Sequence, residues 1–495
     1  MVLCSLVLSG AMARGQVTTG TISGAVRDQS GAVLPGAGVT IRNVETGITR
    51  RIAADEQGRY RVPQLPLGNY EVEAEASGFS TEVRQGITLT IGREAVVDFS
   101  LNVGQVAERV VVEGEAPLVQ TTTSEMGALV DNKKIRDLPL NGRSFEQLAL
   151  LQPGVVVYAV ASRELQFGSG VKFSVSGSRA YSNLFLLDGT DINDQADFTP
   201  GSAAGVVLGV ETLREFSVLT NTYSAEYGRK AGGIINAVTK SGGNEIHGNA
   251  FYFHRNDNFD ARNFFNTVSF AKPEFKRNQF GGTAGGPIRK DHTFFFGGYE
   301  GLRERLGLSN LTVVPTAPVH QGLVQNRTTG QFENVGVDPR VRPYVDLFPL
   351  PNGRDFGDGT ADFFSSPSKP TREDNFSVRL DHQISENDSL FGRYTFDDAE
   401  VFIPEKIPTF GTGLVSRYQY VTVEEKHIFS PSVLNVLRLG YNRSFSDTGA
   451  LQTIGPTPNL AFVPGQELIG NICIDPIRAV PYAGCLGPSV SLPRT

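Results

Sequence analysis

Apolar and polar side chains alternate along much of the second half of this 495-residue chain. Phe376, Val378 and Leu380, for example, share one face of an extended segment, because successive residues of a strand point to opposite sides. The same alternation returns around Leu437, and 24 of the 32 phenylalanines lie after residue 245. The pattern indicates antiparallel strands that each have one apolar and one polar face.

Two environments accommodate such strands: a soluble β-sandwich with one buried face, or a transmembrane barrel with lipid outside and water inside. The connections alternate between short turns, as at Arg289–Asp291, and long Pro/Gly-rich stretches such as Asn310–Thr371. Aromatic residues also gather near segment ends, in FYFH and TFFFGGY. Both features favour a membrane barrel. We predict that residues 244–495 form the first strands of an antiparallel transmembrane β-barrel, with about seven to nine strands.

The N-terminal part predicts a separate β-sandwich over residues 16–103, where short β-rich runs alternate with turns. Asp55–Tyr60 followed by Leu65–Tyr70 resembles the carboxypeptidase regulatory-like, transthyretin-type domain. A zinc peptidase site does not accompany this resemblance, because none of the six histidines is followed three residues later by the glutamate that such a site needs.

The first 15 residues predict a secretory signal peptide, possessing an apolar run, Val2–Leu8, and a small-x-small pattern, Ala11–Ala13. A positive n-region is missing, which we interpret as a clipped start; an ordinary buried N-terminal segment is the alternative. After cleavage, Cys473 and Cys485 would remain and are consistent with one loop disulfide in an oxidising compartment, with two free thiols as the alternative.

A short segment between the sandwich and the next module is rich in valine, within a linker that we place at residues 104–117. It comprises Glu108, Arg109, Val110, Val111, Val112 and Glu113. An extended segment of this kind can add itself to an exposed sheet edge of a partner. Its position and pattern resemble the TonB box of TonB-dependent outer-membrane receptors, which implies TonB as the partner. The alternative is an ordinary first strand of the following domain.

Residues 118–243 predict a small α+β unit. Asp131 is placed to cap a short helix that Pro139 ends, and Ser144 with Gln147 forms a capping-box pattern for a second helix that ends at Pro153–Gly154. An ordered series of motifs here resembles the plug of TonB-dependent receptors. The residues that carry it are Leu138, Pro139, Asn141, Arg143, Pro153, Gly154, Asp188, Gly189, Tyr227, Gly228, Gly232 and Gly233.

Three of these glycines, Gly228, Gly232 and Gly233, are expected to permit tight turns and close backbone approach. The acidic stretch Asp188, Asp191, Asp194 and Asp197 lacks the ligand spacing of an EF-hand, so we predict a hydrogen-bonded plug loop. No phosphate-binding loop is present in the sequence, and we predict no metal and no cofactor. The net charge of −7 argues against nucleic acid as a partner.

The fold class expected is therefore mainly β: a transthyretin-like sandwich, an α+β plug and the start of a transmembrane barrel. The resemblance, in its Oar-like branch, implies a receptor in the outer membrane whose N-terminal domain and plug lie on the periplasmic side. It implies import of an extracellular ligand, energised by TonB and without enzymatic chemistry. Cargo of such receptors includes iron chelates, cobalamin and saccharides. A surface adhesin without transport is the alternative function.

A plugged transporter has about 22 strands. We therefore expect the chain to be the N-terminal part of a longer product, with a smaller complete barrel as the alternative.

Overall fold

The computed structural model describes most of the chain, and everything below refers to that part. The described residues are 18–104, 109–113, 125–138, 140, 143–144, 146–158, 171–194, 199–205, 208–262, 272–326, 328–430, 433–454, 457–474 and 484–487. The predicted signal peptide and Asp197 lie outside these residues. The observed fold is mainly β, as predicted.

The N-terminal module is a sandwich of two sheets. Its strands are β1 (Gly20–Asp28), β2 (Gly38–Asn43), β3 (Thr49–Ala53), β4 (Arg59–Leu65), β5 (Gly68–Glu75), β6 (Thr81–Leu89), β7 (Glu94–Val96), β8 (Phe99–Leu101) and β9 (Arg109–Glu113). One sheet has the order β4-β1-β7, with β8 also on β1, and the other has the order β3-β2-β5-β6-β9. The inward residues of the two sheets, among them Ile22, Val39, Val62 and Val72, form one buried core.

The second module is an α+β unit. Its elements are β10 (Met126–Val130), α1 (Asn132–Asp137), α2 (Glu146–Ala149), β11 (Val155–Val157), β12 (Phe173–Val175), β13 (Leu184–Leu187), β14 (Thr190–Asp191), β15 (Leu213–Asn221) and β16 (Ile234–Thr239). The main sheet has the order β10-β15-β16-β13-β14, in which β13 and β16 run parallel. Strands β13 and β16 are buried throughout, which explains the continuous apolar sequence of β13 and the mostly apolar sequence of β16, where Asn236 is a buried polar residue.

Both predicted helices form, and the residues before each of them contact its first turn. Asp131 caps α1, and its carboxylate accepts the N–H of Lys134 at 2.8 Å. At the start of α2, the hydroxyl of Ser144 donates to the carboxylate of Glu146, and its carbonyl oxygen accepts the N–H of Gln147 at 3.3 Å. None of the helices among the described residues is long and apolar enough to cross a membrane.

The third module is a wall of seven consecutive antiparallel strands. They are β17 (His247–Asn256), β18 (Phe275–Arg289), β19 (Thr293–Gly307), β24 (Ser368–Gln383), β25 (Asp388–Pro404), β26 (Phe410–Ser430) and β27 (Val433–Gln452). The predicted faces are confirmed: Val378 and Leu439 are 51% and 63% exposed on the outer face, whereas Ser377 and Thr395 are buried on the inner face.

Short turns join the wall strands at one end, and the long connections carry small elements at the other. These elements are β20 (Asn310–Pro315), α3 (Ala317–His320), β21 (Leu323–Gln325), β22 (Phe332–Asn334), α4 (Arg342–Val345), β23 (Thr360–Ser365), β28 (Ile472–Ile474) and β29 (Gly484–Leu486). Val314, Phe348, Phe410 and Leu486 are members of a separate apolar cluster that ties these loops together. Cys473 and Cys485 are joined in a disulfide between β28 and β29.

Candidate functional site

The plug touches the inner face of the wall, and its most deeply buried polar contact centres on Asp188. This residue sits in the turn between β13 and β14, with φ at +47°. Its carboxylate lies 2.7 Å from Nε of Arg393 and 3.4 Å from Nη1 of Arg379, both on the wall. It also accepts the N–H and the hydroxyl of Thr239, each at 2.9 Å. Asp188 therefore holds the plug sheet together and binds it to the wall.

Gly189 follows Asp188 and also has a positive φ, of +74°. A side-chain carbon at Gly189 would lie 2.1 Å from Nη1 of Arg438, which reaches in from β27. The plug turn can approach the wall this closely because glycine has no side chain.

Arg143 makes the second contact between plug and wall. Its guanidinium lies 3.1 Å from the carboxylate of Glu300 on the wall and 2.9 Å from that of Glu211 in the plug. It also lies 4.3 Å from the ring centre of Phe251. Burial opposes ionisation of Glu211, yet hydrogen bonds from Arg143 and Asn249 hold the pKa of Glu211 below its ordinary value. The guanidinium of Arg143 thus bridges a plug carboxylate and a wall carboxylate.

Further polar contacts extend the interface along the wall. The hydroxyls of Thr190 and Thr422 are 2.7 Å apart, and the hydroxyl of Tyr418 donates to the carbonyl oxygen of Gly201 at 3.1 Å. The hydroxyl of Ser202 donates to Glu373 at 2.5 Å. A small cavity beside Glu373, of about 10 Å³, has room for about one water molecule.

Two of the three predicted glycine roles follow from close approach. A side-chain carbon at Gly232 would lie 2.6 Å from the carbonyl oxygen of Ser182, and one at Gly233 would lie 2.4 Å from Val175. Gly228 lies in a tight turn, where its carbonyl oxygen accepts the N–H of Lys230 at 2.9 Å, but the expected close approach is wrong: its φ is ordinary, and no heavy atom lies within 4 Å of the position of an added carbon. Tyr227, beside it, is buried, and its hydroxyl accepts a hydrogen bond from the Asn236 amide at 3.4 Å.

The remaining plug motif residues lie away from the wall contacts. Leu138 ends α1 and is partly exposed. Pro153 and Gly154 form the turn before β11, where Gly154 has a φ of +81° and its carbonyl oxygen accepts the N–H of Ser176 at 2.7 Å. Pro139 and Asn141 lie outside the described residues.

The acidic stretch forms a hydrogen-bonded loop. Asp191 accepts the N–H of Asn193 at 2.9 Å and pairs with Arg229 at 2.8 Å, while Asp194 is buried. The carboxylates of Asp188 and Asp191 thus face protein donors.

A different group has its possible ligand atoms within 4.8 Å of one another: Asp388, Glu425 and His427, at the end of the wall with the short turns. All three are partly exposed, and Asp388 and His427 are already paired at 2.5 Å.

Glu146 and Lys172 are ionisable groups buried inside the plug itself. Burial raises the pKa of Glu146 to about 7, against the opposing effect of its hydrogen bond from Ser144. Burial lowers the pKa of Lys172, whose ammonium donates to the carbonyl oxygen of Thr199 at 3.1 Å.

The TonB-box-like segment forms the edge strand of the sandwich. Strand β9 runs parallel to β6, with Val111 opposite Val83 and with Val112 and Glu113 opposite the next two residues of β6. Val110 and Val111 are 41% and 52% exposed. Within the described residues, β9 has a partner strand on one side only. Glu108 lies outside those residues. The strand thus belongs to the sheet of the preceding sandwich rather than to the plug.

Sequence reasoning missed the wall residues that receive the plug, namely Glu300, Glu373, Arg379, Arg393 and Thr422. All five lie on inward positions of the wall strands, and for Arg379 the predicted alternation around Phe376 already implied an inward, polar position. Their plug partners are 157 to 232 positions away in sequence, from Arg143 with Glu300 to Thr190 with Thr422. Pairing over such distances has no local sequence signal.

Three family models match successive segments of the chain. Residues 21–102 match the carboxypeptidase regulatory-like domain, residues 119–234 match the TonB-dependent receptor plug domain, and residues 238–477 match an outer membrane beta barrel domain.

Individual relatives cover the chain in part. The TonB-dependent transporter Oar of Myxococcus xanthus is 30% identical over 306 residues, which are 59% of this chain and 27% of that protein. The chain thus spans about a quarter of the length of this relative. Among solved structures, the outer membrane transporter YddB from Escherichia coli is similar at 13% identity, with a TM-score of 0.40, over 64% of this chain and 38% of that one. The siderophore receptor PirA from Acinetobacter baumannii is similar at 14% identity, with a TM-score of 0.36, over 66% and 45%.

The wall of antiparallel strands, the domain seated against its inner face and the three family matches define a plugged outer-membrane β-barrel protein. The chain is a TonB-dependent receptor that carries an N-terminal carboxypeptidase regulatory-like domain. It resides in the outer membrane, with its plug on the periplasmic side.

Proposed function

We propose that this receptor binds an extracellular ligand and imports it through the plugged barrel, with energy delivered by TonB. The observation that carries the proposal is the contact of Asp188 with Arg393 and Arg379, which binds the plug to the wall through charged groups. The relative Oar, named as a TonB-dependent transporter, supports the same function.

Polar contacts suit a plug that has to rearrange. Charged and hydroxyl groups such as Asp188, Thr190 and Ser202 recover hydrogen bonds from water when they leave the wall. An interface held mainly by apolar burial would instead lose its stabilisation in proportion to the area exposed. The plug can therefore separate from the wall in a hydrated lumen at moderate cost.

Strand β9 is the proposed attachment point for TonB, with Arg109–Glu113 as the paired residues and Glu108 just before them. A strand with one unpaired edge offers main-chain donors and acceptors that a partner strand can use. The exposed side chains of Val110 and Val111 would then add apolar contact.

Binding to the purified C-terminal domain of TonB tests this attachment. Val111→Pro removes a backbone donor and should reduce affinity at least tenfold, about 1.4 kcal/mol. Val111→Thr is the matched control, because it keeps the donor and the strand preference of a β-branched residue. Equal affinity of the proline variant and the parent would exclude Arg109–Glu113 as the TonB segment.

Import of this kind requires no covalent chemistry, and we propose that the protein acts as a carrier rather than an enzyme. The plug residues that contact the wall hold the plug in place and do not identify the ligand. Uptake screening would identify it.

A further inference from the structure

The sandwich is docked on the end of the plug and wall where the short turns lie. Glu45 of the sandwich forms a bidentate ion pair with Arg214 of the plug, with both oxygen–nitrogen distances at 3.1 Å. The carbonyl oxygen of Glu45 also accepts the N–H of Asn244 at 2.8 Å. Asn244 is itself bonded to Asp291 in the turn between β18 and β19. One sandwich loop therefore contacts the plug and the wall together.

A second loop of the sandwich adds a mixed contact. The N–H of Ile91 donates to the carboxylate of Glu215 in the plug at 2.5 Å. Around this bond, Leu67 and Ile91 of the sandwich pack against Val238 of the plug, with Leu129 beside them. The apolar part of the docking is therefore small.

The wall supplies two further contacts to the sandwich. The ammonium of Lys426 donates to the carbonyl oxygen of Gln64 at 3.2 Å, and Arg438 donates to the hydroxyl of Thr18 at 3.0 Å. Interfaces that are small and polar are typical of domains that move relative to one another.

Docking forms a partly open cavity of about 150 Å³ between the three modules. Arg50 and Tyr70 line it from the sandwich, Thr239 from the plug, and Arg379 and Lys426 from the wall. The cavity therefore reaches the base of the Asp188 contact, on the periplasmic side of the plug. A solute that passes the plug at this point meets the sandwich before it meets the periplasm.

Strand β9 connects this docked module to the chain that leads into the plug. Because β9 is hydrogen-bonded along β6, a pull on β9 acts first on the sandwich. The plug strand β10 begins only at Met126. Between β9 and β10 lie residues 114–124, which are outside the described part, and Glu125. A force applied to β9 therefore reaches the sandwich through direct hydrogen bonds, whereas it reaches the plug only through the intervening chain.

We propose that the sandwich is a removable lid on the periplasmic side of the plug, and that TonB removes it by pulling on Arg109–Glu113. The proposal rests on the proposed function, since it requires TonB to bind this strand. It adds an order of events: the lid leaves the plug and wall before the plug itself rearranges.

A cysteine in the lining of this cavity, at the half-buried position 241, reports whether the sandwich is docked. Ser241→Cys lies in the cavity lining, and Ser77→Cys lies on an exposed turn of the sandwich as a control reporter. Maleimide labelling in cells, above the background of the protein without the added cysteine, should be about fivefold faster at Ser241→Cys when TonB is present than when it is deleted. Labelling of Ser77→Cys should not depend on TonB.

Charge reversal tests whether docking controls that labelling. Glu45→Lys or Arg214→Glu alone should make Ser241→Cys label about fivefold faster without TonB, and the two reversals together should restore slow labelling. Rapid labelling in the parent without TonB, or single reversals without effect, would overturn the lid.

The two proposals fail in different ways. If the purified TonB domain binds the strand but TonB leaves Ser241→Cys labelling unchanged, the lid is wrong and import stands. If the TonB domain does not bind β9, the proposed attachment of TonB to this strand is wrong. That result holds whatever the Glu45→Lys and Arg214→Glu variants show about docking of the sandwich.

Discussion

Arg393 of the wall and Asp188 of the plug form an ion pair that is buried almost completely, with 0% and 1% of the two side chains exposed. Arg393 also donates to the hydroxyl of Thr422 at 2.6 Å and to the carbonyl oxygen of Leu187 at 3.2 Å. One guanidinium therefore holds plug and wall together at a site from which water is excluded.

Asp188→Asn should destabilise the protein strongly, because it leaves Arg393 buried without the carboxylate that pairs with it, while Arg379 keeps its ion pair with Asp381 at 2.8 Å. Breaking one partner of a buried pair costs roughly 3–5 kcal/mol. Thermal unfolding in detergent measures the loss. Asp191→Asn is the control, since its partner Arg229 is 70% exposed and such a pair contributes about 0–1 kcal/mol. Equal losses for the two variants would contradict the anchoring role of Asp188.

Gly233→Ala should destabilise the plug, whereas Gly228→Ala should not. An added carbon at Gly233 would meet Val175 at 2.4 Å inside the plug, and overpacking of this kind costs roughly 1–3 kcal/mol. Gly228 has open space and an ordinary backbone conformation, so its substitution should change stability by less than about 0.5 kcal/mol. Unfolding midpoints of the two variants decide between them, and a Gly228→Ala loss as large as that of Gly233→Ala would refute the packing argument.

Plug stability should fall as the pH rises from about 5 to 8. Burial raises the pKa of Glu146 to about 7, so the folded plug keeps a proton that the unfolded chain releases above its ordinary pKa. The stabilising contribution is complete below the ordinary value and is lost as the pH rises through about 7. Glu146→Gln should flatten this dependence. The measurement is the unfolding midpoint at several pH values, and an unchanged pH profile in the variant would assign the effect to another group.

Docking of the sandwich should also weaken as the pH rises. Burial raises the pKa of Glu215 to about 7, with the Ile91 N–H and Arg214 acting against the shift and Asp131 adding to it. Undocking exposes this carboxyl to water, so the docked state binds the proton more tightly and is favoured at low pH. The labelling ratio of Ser241→Cys to Ser77→Cys should therefore increase between about pH 5.5 and pH 8. In Glu215→Gln the ratio should be independent of pH; a slope equal to that of the parent would contradict this origin.

Local patterns in the sequence predicted much of the fold. The alternation around Phe376 and Leu437 identified which faces of the wall are polar, and Asp131 predicted the start of α1, because a strand face and a helix cap each depend on residues close together in the chain. The site was predicted less well. Asp188, Gly189 and Arg143 were selected through the plug resemblance, but their wall partners were not, because those contacts join positions more than 150 residues apart.

The position of β9 was also not predictable from the sequence. A valine-rich segment predicts a strand, but any sheet with a free edge can accept it. In the sheet order β3-β2-β5-β6-β9, β6 pairs with β5 on one side, and its other side is free to pair with β9. This order depends on the fold of the whole sandwich and not on the sequence of β9.

Because β9 pairs in parallel with β6, the direction of an applied force decides whether the two strands stay together or separate. A load along the axis of β9 is shared by all the hydrogen bonds of the ladder at once, so the pair resists it as a unit. A load perpendicular to that axis opens the ladder one bond at a time, starting at one end. An axial pull therefore carries the sandwich away from the plug, whereas a perpendicular pull strips β9 from β6 and leaves the sandwich where it is.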